Sequence, residues 1–140
     1  MAPPSDPAAP AEAGAPRGHY PYQAAVDAYG NGGFRFAGMS HRGSLLCLPT
    51  GMDAWRIAGV DELRLEAFAP VLDIADRIEV LFIGMGDRFL PLASGIREAF
   101  RDRGVIVEPT STRNAVSTYN VLFAEQRPVA AALIAVERTR

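Results

Sequence analysis

Lysine is absent from this 140-residue chain, in which all 14 basic residues are arginine. A Walker A loop needs its lysine to reach the outer phosphates, and a pyridoxal Schiff base needs a lysine amine, so both chemistries are excluded. Cysteine occurs once, as Cys47, which rules out an intramolecular disulfide and any zinc site built on several thiolates. It stands in the apolar stretch SLLCLP and reads as a buried, inert thiol. The two histidines, His19 and His41, form no ligand cluster with it, so no metal is expected. The net charge of −2 and pI near 5.6 lack the clustered positive excess that grips phosphates, which discounts nucleic acid as a partner. No run approaches the roughly 20 apolar residues that span a bilayer.

The opening MAPPSDPAAPAEAGAPRGHYP has neither the basic start and apolar centre of a secretory signal nor the arginine content of a mitochondrial presequence. The cytoplasm is the expected compartment, and an arginine-only basic complement points to a GC-rich bacterial genome. Residues 1–18 are rich in Pro, Ala and small polar residues that bury too little apolar surface to offset the entropy of ordering, and are expected to be a disordered tail. Residues 19–140 then form a single α/β domain, with 49% hydrophobic content in the chain to supply one core.

Within that domain, a first element is expected over Ala24–Tyr29, and the glycines of YGNGGF suit a reversal into a strand at Phe34–Phe36. A turn at Ser40–Gly43 leads to a strand at Ser44–Leu48. After Pro49 and Gly51 a short strand follows at Ala54–Ile57. Leu65, Phe68 and Ala69 have helical spacing between Asp61, a candidate N-cap, and Asp73, with Pro70 limiting the helix. IEVLFIG reads as a strand covered on both faces. Pro91 is expected at N1 of a helix whose stripe is Leu92, Ile96, Ala99 and Phe100 and whose closing glycine is Gly104. Val105–Val107 completes a right-handed parallel crossover. A further helix, with Thr112 as candidate N-cap, carries an apolar face of Ala115, Val116, Tyr119, Leu122 and Phe123 before the strand in VAAALIAV. The predicted architecture is a compact three-layer α/β domain whose mixed sheet has parallel C-terminal strands and antiparallel N-terminal hairpin strands.

IGMGDRF places two glycines after a buried strand, as dinucleotide sites do, but Phe89 stands where the third glycine belongs and the helix starts late. A plain strand-to-helix turn is the reading preferred. GMSHRGS has Arg42 where a nucleophile elbow needs glycine, and neighbouring Ser40 and His41 point to opposite faces of an extended chain. No catalytic set results. The remaining candidates lie at the carboxyl ends of the parallel strands, the usual ligand position in open α/β sheets. Gly84, Gly86, Asp87 and Arg88 are expected there, beside Thr110, Ser111, Thr112 and Arg113, with capping and loop solvation as the plainer role. Asn120, a weak helix former among apolar neighbours, must hydrogen-bond a nearby loop or line a pocket.

The pieces DAYGNGGFRFAG, RGSLLCLPTG, LFIGMGD, STRNAVSTYNVLFAE and AAALI, in this order, resemble the domain-of-unknown-function family that includes mitochondrial complex I assembly factor 3 and the adipogenesis-associated domain proteins. The resemblance runs from about Tyr22 to Val136 and implies a compact α/β fold. It further implies a non-enzymatic assembly or interaction factor without a cofactor, whose protein partners are respiratory complex subunits or assembly factors. Beside it stand a small-molecule binder, or an enzyme without a familiar signature, using the strand-end groove. A homo-oligomer formed through exposed Trp55 and Tyr22 is the third expectation.

Overall fold

The computed structural model describes residues 20–87 and 91–137. The N-terminal segment expected to be a tail lies outside them.

Among the described residues, eight strands and three α-helices follow one another as β1 (Ala28–Gly30), β2 (Gly33–Phe36), β3 (Met39–Arg42), β4 (Ser44–Leu48), β5 (Gly51–Trp55), α1 (Ala69–Leu72), β6 (Val80–Gly84), α2 (Ser94–Arg101), β7 (Ile106–Thr110), α3 (Thr112–Ala124) and β8 (Val129–Leu133). The central sheet has the order β5-β4-β8-β6-β7, and β1-β2-β3 form a second, antiparallel sheet. β6 pairs in parallel with both β7 and β8, while β4 is antiparallel to β5 and to β8. The predicted mixture of parallel C-terminal and antiparallel N-terminal strands is therefore present, although the first hairpins stand apart as their own sheet.

Period-2 alternation sorts the central strands into two cores. Leu46, Leu48, Leu81, Ile83, Ala130 and Ala132 face one side, where Val71 of α1 and Ile96 and Phe100 of α2 meet them. Leu45, Cys47, Phe82, Ala131 and Leu133 face the other, under Ala115, Val116 and Tyr119 of α3 and under Phe34 and Phe36 of β2. These are the three layers. The small side chains of Ala130, Ala131 and Ala132, all fully buried in β8, let both layers approach the middle of the sheet. At the open edge, Pro109 of β7 has no N–H to offer, and Arg97 Nη1 donates to Val107 O at 3.1 Å. Both features discourage another strand from adding there.

Five expectations are corrected. No helix runs through Asp61–Asp73: the chain makes short 3-10 turns at Val60–Glu62 and Leu65–Phe68 and then α1, which carries Pro70 in its first turn. A continuous helix would put Pro70 in its interior, where the missing N–H and the ring clash break it. Asp61 accordingly lies inside a 3-10 turn rather than capping a helix. The Ser40–Gly43 segment is largely strand β3, and the reversal falls at Ala37 and Gly38, both at positive φ, 51° and 76°. Alanine is no turn signal, so the position was not legible. α2 starts at Ser94 instead of Pro91, because Leu92 reaches the core from the non-helical lead-in. Trp55 is only 5% exposed, packed in the first core with its ring tilted against Phe68, and so offers no oligomer surface, whereas Tyr22 is 67% exposed.

Candidate functional site

β5, β8, β6 and β7 all run in one direction, so their carboxyl ends meet at a single end of the sheet. There the chain leaves β6 as Met85, Gly86 and Asp87, and Met85 N donates to Thr110 O at 2.8 Å. Residue Gly84 permits the next step: a Cβ placed on it would lie 2.9 Å from Cα of Thr112, the first residue of α3. Only glycine lets the helix start come this close to the strand end.

Thr112 is fully buried, and its hydroxyl is occupied twice. Oγ1 accepts from Gly86 N at 2.9 Å and donates to Ile134 O at 2.7 Å, while Thr112 N donates to Gly86 O at 2.9 Å. One side chain thus ties the segments that follow β6 and β8. The N-cap is Ser111 rather than Thr112: its Oγ accepts from Asn114 N at 3.1 Å. The Thr112 hydroxyl is held by its two backbone partners, leaving the preceding serine to cap.

A cleft of about 350 Å³ opens at these strand ends, lined by Ala58, Val60, Asp61, Gly86, Asp87 and Glu137 among others. A second of about 420 Å³ adjoins it, sharing Ala58, Ala135 and Glu137 and adding Arg56, Ile57 and Glu62. The far wall is held by the β1–β2 hairpin, whose turn residues Asn31 and Gly32 both have positive φ, 54° and 78°. The Asn-Gly pair is the residue choice such a turn demands. Asn31 N donates to Glu137 O at 2.9 Å and Gly32 N to Val136 O at 2.8 Å.

Of the residues singled out in the sequence, Gly86 and Asp87 line the cleft. Gly84 and Thr112 lie beneath it as support. Arg113 is exposed on the first turn of α3. Arg88 falls outside the described residues. Asn120 is two helical turns further along α3, about 12 Å at 1.5 Å per residue, and serves a different purpose. Its Oδ1 accepts from Val26 N at 2.9 Å and its Nδ2 donates to Val26 O at 2.8 Å, the pairing an adjacent strand would make. Tyr119 Oη donates to Ala24 O at 2.7 Å and Gln23 Nε2 to Val129 O at 2.8 Å, so the segment before β1 is strapped to α3 and β8 by side chains. Sequence reasoning missed Val60, Asp61 and Glu137 as cleft residues, because the segments after β5 and β8 carry no motif.

Among the described residues, no group of three or more His, Cys, Asp or Glu is placed to hold a metal. His41 Nε2 bonds Ser44 O at 2.9 Å, and Ser40 is exposed on the other face of β3, which keeps the two apart. Burial pushes the Cys47 thiol far above its ordinary range, with a partly opposing hydrogen bond from Tyr119. Burial likewise raises Tyr119, as does the nearby thiol. Both groups stay protonated and neutral at any physiological pH, and a protonated thiol is a poor nucleophile. Cys47 is accordingly expected to resist a thiol-disulfide reagent in the native protein and to react fully once guanidinium unfolds the chain. Rapid labelling of the native state would show the second core to be open.

The family model described as protein of unknown function (DUF498/DUF598) matches residues 26–134. This chain belongs to the DUF498/DUF598 family. A Rhodobacter capsulatus protein described as uncharacterized is 38% identical over 109 residues, covering 78% of this chain and 82% of that protein. The human NADH dehydrogenase [ubiquinone] 1 alpha subcomplex assembly factor 3 is 34% identical over 109 residues, covering 78% of this chain. The match takes in only 59% of the human protein's own length. Among solved structures, a Bartonella henselae protein described as an outer membrane protein superposes with a TM-score of 0.81 at 47% identity, over 85% of this chain and all of that one. In the DUF498/DUF598 chain itself, no helix among the described residues is long and apolar enough to cross a membrane.

Proposed function

We propose that this chain is a non-enzymatic interaction factor that assists assembly of a respiratory NADH dehydrogenase, acting from the cytoplasmic side. The observation that carries the reading is its 34% identity, over 109 residues, to a human protein named as an assembly factor for that enzyme. The use of its polar side chains supports it. Thr112 and Asn120, the two most conspicuous polar residues of α3, spend their groups on backbone partners, and Cys47 is held neutral in a core. What the fold leaves at the sheet end is an open surface, suited to contact with a macromolecule.

A fold hosts many roles, so the test must read the process itself. An affinity-tagged chain expressed in its own cell should recover NADH dehydrogenase subunits or assembly factors, and deletion of the gene should lower the amount of assembled enzyme on native gels. Normal levels of the assembled complex in the deletion strain, with no subunit in the eluate, would overturn the proposal.

A further inference from the structure

Of the three asparagines in this chain, only Asn31 is followed by glycine. With Gly32 it forms the two-residue turn between β1 and β2, closed by the Gly30 and Gly33 pair, and it is exposed. Asparagine is a thermolabile residue. Its side-chain carbonyl is open to attack by the backbone nitrogen that follows, and glycine, with no Cβ, hinders that approach least. The other two asparagines lie in α3 before Ala115 and Val121, with their amides engaged: Asn120 by Val26 at both ends, and Asn114 through Nδ2 to Thr110 Oγ1 at 3.4 Å.

The nitrogen of Gly32 is itself occupied. It donates to Val136 O at 2.8 Å, beside the bond from Asn31 N to Glu137 O at 2.9 Å. A Cβ placed on Gly32 would lie 3.2 Å from Glu137 Oε2, so the segment after β8 rests directly against the turn. We propose that the Asn31–Gly32 turn is a site of spontaneous deamidation through a succinimide, held shut by its hydrogen bonds to Val136 and Glu137. Gly32 N attacks Asn31 Cγ, the new N–Cγ bond forms, and the Cγ–Nδ2 bond breaks, so that the side-chain nitrogen leaves as ammonia with the proton that Gly32 N gives up. Water then adds at either carbonyl of the five-membered ring and opens it to aspartate or isoaspartate. Water is the only co-reactant, and no oxidant or reductant is needed.

Attack requires Gly32 N to release its proton and to rotate toward the Asn31 side chain. The bond to Val136 O opposes both, so the reaction proceeds in molecules whose hairpin tip has lifted from the segment after β8. Isoaspartate routes the main chain through the former side chain and lengthens it by one methylene. Loop length sets hairpin register, so the longer turn cannot present both N–H groups to Val136 and Glu137. These two residues line the first cleft, whose wall the modification therefore loosens. The change is a one-way record of the time the tip spends open, and it is independent of the assembly role.

The test incubates the full chain at neutral pH, native in buffer and unfolded in guanidinium. Conversion at each asparagine is read by peptide mass spectrometry, and isoaspartate by labelling with an isoaspartyl methyltransferase. The unfolded chain is expected to convert first at Asn31, and the native chain at least about tenfold more slowly there. Amide exchange at Gly32 measures independently how often the tip opens, and its protection factor should match the slowing within about tenfold. The isoaspartate form, once isolated, should exchange the Gly32 amide at least about tenfold faster than the unmodified chain.

Native conversion as fast as unfolded conversion would show that the bonds to Val136 and Glu137 do not gate the turn. Slowing that exceeds the Gly32 protection factor by more than the stated margin would mean that tip opening is not enough. Either result overturns the proposal. So would an unfolded chain that converts no faster at Asn31 than at Asn114 or Asn120, or an isoaspartate form whose Gly32 amide stays protected.

Discussion

Thr112→Val is expected to destabilise the fold by about 2 to 4 kcal/mol, although valine matches threonine in shape. The cost comes from what the substitution leaves behind. Gly86 N and Ile134 O currently share one hydroxyl at 2.9 and 2.7 Å, in a site with no exposure to water. Removing it strands a buried donor and a buried acceptor, and each unsatisfied group costs about 1 to 3 kcal/mol. Thr112→Ser keeps the hydroxyl and loses only a methyl, so it should cost about 1 kcal/mol. Guanidinium denaturation midpoints for the two variants check this directly. Because Gly86 and Ile134 both line the first cleft, the valine variant should also speed amide exchange at Gly86 before global unfolding. A valine variant no less stable than the serine variant would show that the hydroxyl is not the tie between the two strand ends.

Phe68→Ala is expected to cost about 3 to 5 kcal/mol, the range for emptying a buried aromatic site. Phe68 is fully buried and central to three rings, with its centroid 5.4 Å from Trp55 and 5.8 Å from Phe100, the latter edge-on at 88°. Such pairs add about 0.5 to 1.5 kcal/mol beyond the area they bury. The cavity cannot close easily, since Trp55 Nε1 is anchored to Ala67 O at 2.8 Å and Phe100 lies in α2. Domains of this kind are stable by only about 5 to 15 kcal/mol, so a large part of the margin would go. Trp55, the single tryptophan, reports the change through its fluorescence, and Phe68→Leu should recover most of the loss by refilling the volume. A cost under about 1 kcal/mol would mean that the 3-10 segment shifts to fill the hole.

Different kinds of signal made different parts of this protein legible. IEVLFIG was readable as a strand buried on both sides because Leu81 and Ile83 enter one core while Val80 and Phe82 pack against the other. The α3 stripe was readable because Ala115, Val116 and Tyr119 recur at helical spacing and are buried. Gly104, at φ 80°, closes the α2 turn as its position suggested. Failures cluster where local pattern and long-range contact compete. Of the Leu65, Phe68 and Ala69 stripe only Phe68 is in the core, with Leu65 40% exposed, and Pro70 and the seat offered by Trp55 and Phe100 favoured short turns over one helix.

At the candidate site the division is sharper. Gly86 and Asp87 were found because they follow a recognisable strand. Glu137 was not, because its place depends on β8 lying next to β6 and on the distant turn at Asn31 and Gly32. Asn120 could be marked as needing a partner, but the partner, the backbone of Val26, is 94 residues away along the chain.

By itself the sequence determined the chemistry this protein cannot perform through lysine or paired cysteines, the class of the fold, the strands of its centre and the family to which it belongs. Those properties follow from residue identity and short-range periodicity. Only the tertiary structure decided that β8 occupies the centre of the sheet, that Thr112 is a brace rather than a cap, and that residues from three separate segments line one cleft. Each of these depends on contacts between residues far apart in sequence, where burial and hydrogen-bond geometry outweigh local propensity.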